Sequence, residues 1–171
     1  MRRFSPWIVL MVLAVSLLIS CGEARQRLET GQTMPAFRLP ALEGGTVTSG
    51  SLQGEPLILN FWATWCQPCL KEIPELQHVA QEEGVRVVGI ALDTEGKPVV
   101  APFVKEKGMT YTILLGNQQV FARFDGFGIP HTVVVDSQGT VINLYRGRVS
   151  REILMADVRR IRATERQAGT S

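Results

Sequence analysis

The sequence predicts an α/β fold: a central mixed β-sheet flanked by helices on both faces, with an N-terminal β-hairpin. Three observations carry that prediction. Strand-like apolar segments alternate with segments of helical periodicity from Leu57 to Arg162. The run Leu57-Ile58-Leu59-Asn60-Phe61-Trp62 is too continuously apolar for a strand with one wet face, so it reads as a central strand buried on both. Four residues after Trp62 the chain reaches Cys66-Gln67-Pro68-Cys69, two cysteines at the start of a helix.

The elements follow in order. Phe37-Arg38-Leu39 and Thr46-Val47-Thr48 flank Glu43-Gly44-Gly45 and form a small hairpin. After the central strand, Pro68 to Glu82 is a helix with Leu70, Ile73, Leu76, Val79 and Ala80 on one face. Pro74 is expected to kink it, and Gly84 to end it. Val85 to Leu92 is a second buried, parallel strand. Pro98 to Lys107 is a helix opened by proline and stopped by Gly108. Thr110 to Leu115 is a short strand, and Gln118 to Phe124 a short helix. Thr132 to Val135 and Val141 to Tyr145 are strands joined by the turn Asp136-Ser137-Gln138-Gly139. Arg151 to Arg162 closes the domain as an amphipathic helix capped by Ser150, and the polar residues after it are expected to fray.

The cysteine pair points to redox chemistry. A helix N-terminus offers unpaired N–H groups and partial positive charge, which favour a thiolate at Cys66. Pro68 suits the first turn, where its missing N–H costs nothing. Cys69 lies about one turn further in, where it can close a disulfide. Structural zinc would use the same spacing, but there is no second Cys-x-x-Cys and no paired histidines to complete four ligands.

The N-terminus tells a separate story. Met1-Arg2-Arg3 is a basic head, and Trp7 to Ile19 is apolar apart from Ser16. That is shorter than the roughly 20 residues of a membrane span and matches the core of a secretory signal. The run ends Leu18-Ile19-Ser20-Cys21, which resembles a bacterial lipobox. Residues 1–20 are therefore read as a lipoprotein-type signal peptide and Cys21 as the lipidation site, with an uncleaved anchor as the alternative. The expected layout continues with a tether over 21–33, one domain over 34–163 and a flexible tail over 164–171. The domain then faces a cell-envelope space where disulfides persist. Removing Arg2 and Arg3 from the 18 basic residues leaves 16, equal to the 16 acidic ones. A neutral mature chain argues against nucleic acid as a partner.

The motif Trp65-Cys66-Gln67-Pro68-Cys69 in this α/β order resembles the thioredoxin superfamily. The branch it is most similar to is that of the TlpA/ResA-like membrane-tethered thiol–disulfide oxidoreductases, which include cytochrome c maturation reductases. Gly31 to Leu39 resembles the family's entry segment, Leu59 to Cys69 its active-site block, and Glu72-Ile73-Pro74-Glu75-Leu76 the continuation. Gly128-Ile129-Pro130-His131-Thr132 resembles its cis-proline loop, and Pro98 to Phe124 its central α/β insert. The resemblance spans Gln32 to Arg162.

It implies a thioredoxin-like fold with Cys66 as nucleophile and Cys69 as resolving thiol. Gln67 and Pro68 would tune the potential. Trp65, Ile129 and Pro130 would meet the substrate, with Ile129 offering backbone to a partner's extended strand. Asn60 stands where plain thioredoxins carry a buried aspartate, and an amide cannot accept a proton there. Glu72, three residues after Cys69, is the replacement base, the alternative being a surface charge near Lys71. The expected partners are protein disulfides, such as those of apocytochrome c, and a membrane thiol electron donor. No cofactor is expected beyond the Cys66–Cys69 disulfide, and no metal. Two other readings are a copper-binding assembly factor, with His131 beside the cysteines, and a peroxiredoxin-like peroxidase. The latter needs Ser or Thr three residues before the cysteine, where Ala63 stands. His78 reads as a partly exposed helix residue.

Overall fold

The computed structural model describes residues 27–82 and 84–169. Its strands are β1 (Arg38–Pro40), β2 (Thr46–Thr48), β3 (Leu57–Trp62), β4 (Arg86–Ala91), β5 (Thr112–Leu115), β6 (His131–Val135) and β7 (Val141–Arg146). Its α-helices are α1 (Gln67–Val79), α2 (Lys97–Glu106), α3 (Gln118–Arg123) and α4 (Arg151–Ala168), with a short 3-10 turn at Ser49–Leu52. β1 and β2 pair as a separate antiparallel hairpin. The main sheet has the order β5-β4-β3-β6-β7. β3 runs parallel to β4 and antiparallel to β6, so the sheet is mixed, as expected.

All six residues of β3 are buried because the sheet is covered on both faces. Period-two alternation divides them. Ile58 and Trp62 pack with Leu76 and Val79 of α1, Val100 of α2 and Leu154, Val158 and Ile161 of α4. Leu57, Leu59 and Phe61 pack with Leu39 and Leu52 near the hairpin and with Val120, Phe121 and Phe124 at α3. On β4, Gly89 leaves space for neighbours. A Cβ there would lie 2.9 Å from both Trp62 Nε1 and Ile113 Cδ1.

Several boundaries differ from expectation, each for a local reason. α1 ends at Val79 with Ala80 as its C-cap, short of the expected Glu82; Gly84, the expected terminator, takes φ +68° in the turn beyond it. α2 is stopped by Gly108 as expected: Gly108 has φ +61°, and Met109 N–H returns to the Val104 carbonyl at 3.1 Å. β5 starts at Thr112, because the Thr110 N–H is taken by Gln77 Oε1 at 2.9 Å. Pairing of His131 with Arg146 extends both β6 and β7 by one residue. Ser150 holds the N-cap position of α4, but its side chain makes no capping bond.

Two expected flexible segments are ordered. α4 continues to Ala168 where a frayed tail was expected; Glu165 Oε1 accepts from Ser137 N at 3.0 Å and ties this last stretch to the β6–β7 turn. Residues 27–33, expected as tether, dock beside β7. Gly31 N donates to the Val141 carbonyl and Val141 N to the Gln32 carbonyl, both at 2.8 Å, and Leu28 is buried. The domain thus begins before residue 34. α4 is held to β7 by a buried carboxylate: Asp157 accepts from Tyr145 Oη at 2.6 Å and Asn143 Nδ2 at 2.8 Å. Cys21 and the signal segment lie outside the described residues. Among the described residues no helix is long and apolar enough to cross a membrane.

Candidate active site

β3 ends at Trp62, and the turn Ala63-Thr64-Trp65 carries the chain to Cys66, the N-cap of α1. Cys66 Sγ accepts from Cys69 N at 3.3 Å, so the first sulfur sits on the unpaired N–H groups of the helix end. Cys66 and Cys69 are joined in a disulfide with Cα atoms 5.3 Å apart. Gln67 and Pro68 are exposed in the first turn. Cys66 is only 5% exposed, and its disulfide partner Cys69 is buried.

Glu72 is not a surface charge. It is 1% exposed, on α1 one turn beyond Cys69. Its Oε1 accepts from Val149 N at 3.2 Å and from Thr132 Oγ1 at 3.3 Å, and its Oε2 accepts from Asn60 Nδ2 at 3.2 Å. Burial pushes its pKa from 4.5 up to about 7, against the opposing pull of these bonds and of the Arg148 charge. Asn60 thus does not titrate in place of an acid; it holds the carboxyl group that does. Asn60 Nδ2 also donates to Thr132 Oγ1 at 2.9 Å, so β3 and β6 together position Glu72.

The Ile129–Pro130 peptide bond is cis. Pro130 is buried and Ile129 half-buried. Ile129 lines a groove of about 350 Å³ together with Trp65, Leu92, Phe121 and Phe127. Trp65 is 67% exposed, so it forms a lip of this groove and does not shield the core. Phe127, also lining the groove, is 79% exposed and lies under the Arg146 guanidinium at 5.2 Å. Gly126 is needed beside it, since a Cβ there would fall 2.1 Å from the Phe121 ring.

His131 is where the sequence misleads. It follows Pro130, but strand alternation sends its side chain to the face opposite Thr132 and Glu72. It is fully buried against the rings of Phe61 and Phe121, and its Nε2 donates to the Phe124 carbonyl at 3.0 Å. Burial lowers its pKa below the usual 6.5. The cysteines pack in the core cluster on the other face, so the two-cysteine, one-histidine copper site is not assembled. Among the described residues no group of three or more His, Cys, Asp and Glu is arranged to hold a metal. His78 is exposed on α1, in line with its bland reading. Sequence reasoning missed Asp93, Val149 and Phe127. The only signal for Asp93 was an acid just past a buried parallel strand, where sites on α/β sheets gather.

Comparison with known proteins agrees with this geometry. Residues 30–144 match the AhpC/TSA family. The chain is 30% identical over 156 residues to the thiol-disulfide oxidoreductase ResA of Geobacillus thermodenitrificans, covering 89% of each protein. A crystal structure of a putative thiol:disulfide interchange protein DsbE from Chlorobium tepidum superposes with TM-score 0.71 at 25% identity, covering 78% of this chain and 98% of that one. A thio-disulfide isomerase from Thermus thermophilus superposes with TM-score 0.68 at 33% identity, covering 78% and 97%. The chain belongs to the AhpC/TSA family, has a thioredoxin-like fold, and is a thiol–disulfide oxidoreductase with the Cys66–Cys69 pair.

Proposed function

We propose that this oxidoreductase works as a reductase of disulfides in extracytoplasmic partner proteins, apocytochrome c among them. The observation that carries the reading is Glu72: a buried carboxyl group, poised near pH 7, one helical turn beyond the second cysteine. In the reduced enzyme the Cys66 thiolate, favoured by the helix N-terminus, attacks one sulfur of the partner's disulfide. The other partner sulfur leaves as a thiolate. Glu72 takes the proton from the Cys69 thiol, and the Cys69 thiolate attacks Cys66 Sγ. The bond between Cys66 Sγ and the partner breaks, the second partner sulfur leaves as a thiolate, and the two thiolates take one proton from Glu72 and one from solvent, leaving Cys66–Cys69 as the disulfide. A membrane thiol carrier then restores the dithiol with two electrons. Trp65, Ile129 and Pro130 hold the partner's chain beside Cys66, while Gln67 and Pro68 shape the exposed first turn.

The test is the reduction potential. Equilibration against glutathione should place it nearer thioredoxin's value of about −270 mV than the oxidant DsbA's of about −120 mV. A value more oxidising than about −180 mV, that of an isomerase, would overturn the direction of electron flow.

Location belongs to the same proposal. Cleavage before Cys21 and its lipidation would anchor the domain outside the membrane, since multiple acyl chains hold where one does not. The Cys21→Ala variant should lose all labelling by fatty acid. If labelling is absent already in the parent and its amino terminus begins at Met1, the segment is an uncleaved anchor instead.

The peroxidase reading is disfavoured by position 63, where an alanine methyl stands in place of a hydroxyl.

A further inference from the structure

We infer that Asp93 is a positioning residue: its carboxylate clamps Thr64 and thereby fixes the turn that presents Trp65 and Cys66. The inference rests on the reading of Cys66 as the attacking thiol, and it adds a residue that the cysteine motif does not contain.

Asp93 lies just past β4, where Leu92 N still donates to the Trp62 carbonyl at 2.8 Å. It is 5% exposed, although it carries a carboxylate. Burial of such a group is costly unless its oxygens are occupied. They are occupied by a single residue. Thr64 Oγ1 donates to Oδ1 at 2.5 Å, and Thr64 N donates to Oδ1 and Oδ2 at 3.2 and 3.1 Å. Hydrogen bonds to a carboxylate are stronger than neutral ones. Both donors of Thr64 are thereby committed, two residues before Cys66.

The turn is also held at its two ends, by Ala63, which is fully buried in the core, and by the Cys66–Cys69 disulfide. Cys66 N returns to the Ala63 carbonyl at 3.1 Å, which closes the turn on itself. Trp65 projects into solvent. Asp93 is the contact that ties this turn, at the level of Thr64, to the neighbouring strand. Its removal should let Cys66 Sγ drift from the Cys69 N–H that it accepts at 3.3 Å. A thiolate less well seated on the helix end is less favoured, and a misplaced nucleophile reacts more slowly.

The experiment compares Asp93→Ala, Asp93→Asn and Thr64→Val in the otherwise unaltered protein. The reduced proteins react with dithiobis(nitrobenzoate). Cys66 attacks and one nitrothiobenzoate leaves; Cys69 then displaces the second and closes the disulfide. Alkylation across pH, read by mass spectrometry, gives the Cys66 thiol pKa independently. Asp93→Ala should slow the first release about tenfold and raise the Cys66 thiol pKa, because small displacements of a nucleophile carry costs of this order. Asp93→Asn keeps an oxygen acceptor and should recover the rate to within about twofold, since the effect is one of geometry. Thr64→Val removes only the hydroxyl bond and should move both readouts the same way by less.

A purely structural role would lower the melting temperature of Asp93→Ala and leave both readouts unchanged, which overturns the proposal. So does an Asp93→Asn variant as slow as Asp93→Ala, since the charge and not the acceptor would then matter. If Asp93→Ala fails to fold, Thr64→Val decides, and parental values in it overturn the proposal. The functional reading fails separately, if the parent reacts faster through Cys69 than through Cys66. The Cys66 pKa still judges Asp93 in that event.

Discussion

Glu72→Gln is expected to stabilise the protein at pH 8 by up to about 3 kcal/mol, from a gap of roughly 2.5 pKa units at 1.36 kcal/mol each. The sign follows from the direction of the shift. The carboxyl pKa is 4.5 in the unfolded chain and about 7 in the folded one. Between those values the folded state binds the extra proton, so stability falls as pH rises from about 4.5 through about 7. The whole penalty is present above that. Glutamine cannot ionise and is spared it. Its carbonyl can still accept from Val149 N and Thr132 Oγ1, as Glu72 does. Urea denaturation at pH 8 and at pH 4.5 measures the effect. The gain should be confined to the higher pH.

The same variant should be a poorer enzyme. With no carboxylate to take its proton, Cys69 should close the disulfide more slowly, and its thiol titration should shift. An unchanged Cys69 alkylation profile would leave Glu72 with a structural role alone. A carboxylate that costs stability when charged and aids exchange when charged is the trade expected of a buried general base.

The Cys69→Ser variant is expected to accumulate mixed disulfides on Cys66 where the parent shows none. The parent resolves the intermediate because Cys69 stands a single turn from Cys66, close enough to bond with Cα atoms 5.3 Å apart. An intramolecular thiol at such range acts at an effective concentration far above any in solution. Serine keeps the size of the side chain but its hydroxyl cannot displace a disulfide sulfur. Non-reducing electrophoresis of acid-quenched cells, followed by mass spectrometry, should show adducts with proteins that contain cysteine pairs. Cys66→Ser is the control and should show none. Equal adducts in both variants would mean that Cys66 is not the attacking residue. Absence of extracytoplasmic proteins among the adducts would sink the proposed location of the substrates.

Much of this site is legible in the chain because it is local. Cys66, Pro68, Cys69 and Glu72 are related by helical spacing, and one helix start places all of them. The buried strands are legible because the runs from Leu57 and from Val85 are too apolar for a sheet with a wet face. Gly108 is legible as a helix stop because a left-handed residue is needed there and glycine adopts it freely.

What the chain concealed is what depends on contacts far apart in sequence. Whether Glu72 faces water or the core turns on Asn60, Thr132 and Val149, which lie 12, 60 and 77 residues away. Its raised pKa follows from that burial and from nothing in its neighbours along the chain. His131 sits next to Pro130, yet adjacency in a strand sends consecutive side chains to opposite faces, so it joins the aromatic cluster of Phe61 and Phe121. Asp93 meets Thr64 across 29 residues because β3 and β4 lie parallel and end side by side. Residues 27–33 read as polar linker until the exposed backbone of β7 offers them partners. The sequence by itself determined the fold class and the redox pair, since both rest on periodicity and short spacing. The tertiary structure alone decided which polar groups are buried, and with that which of them can hold or move a proton.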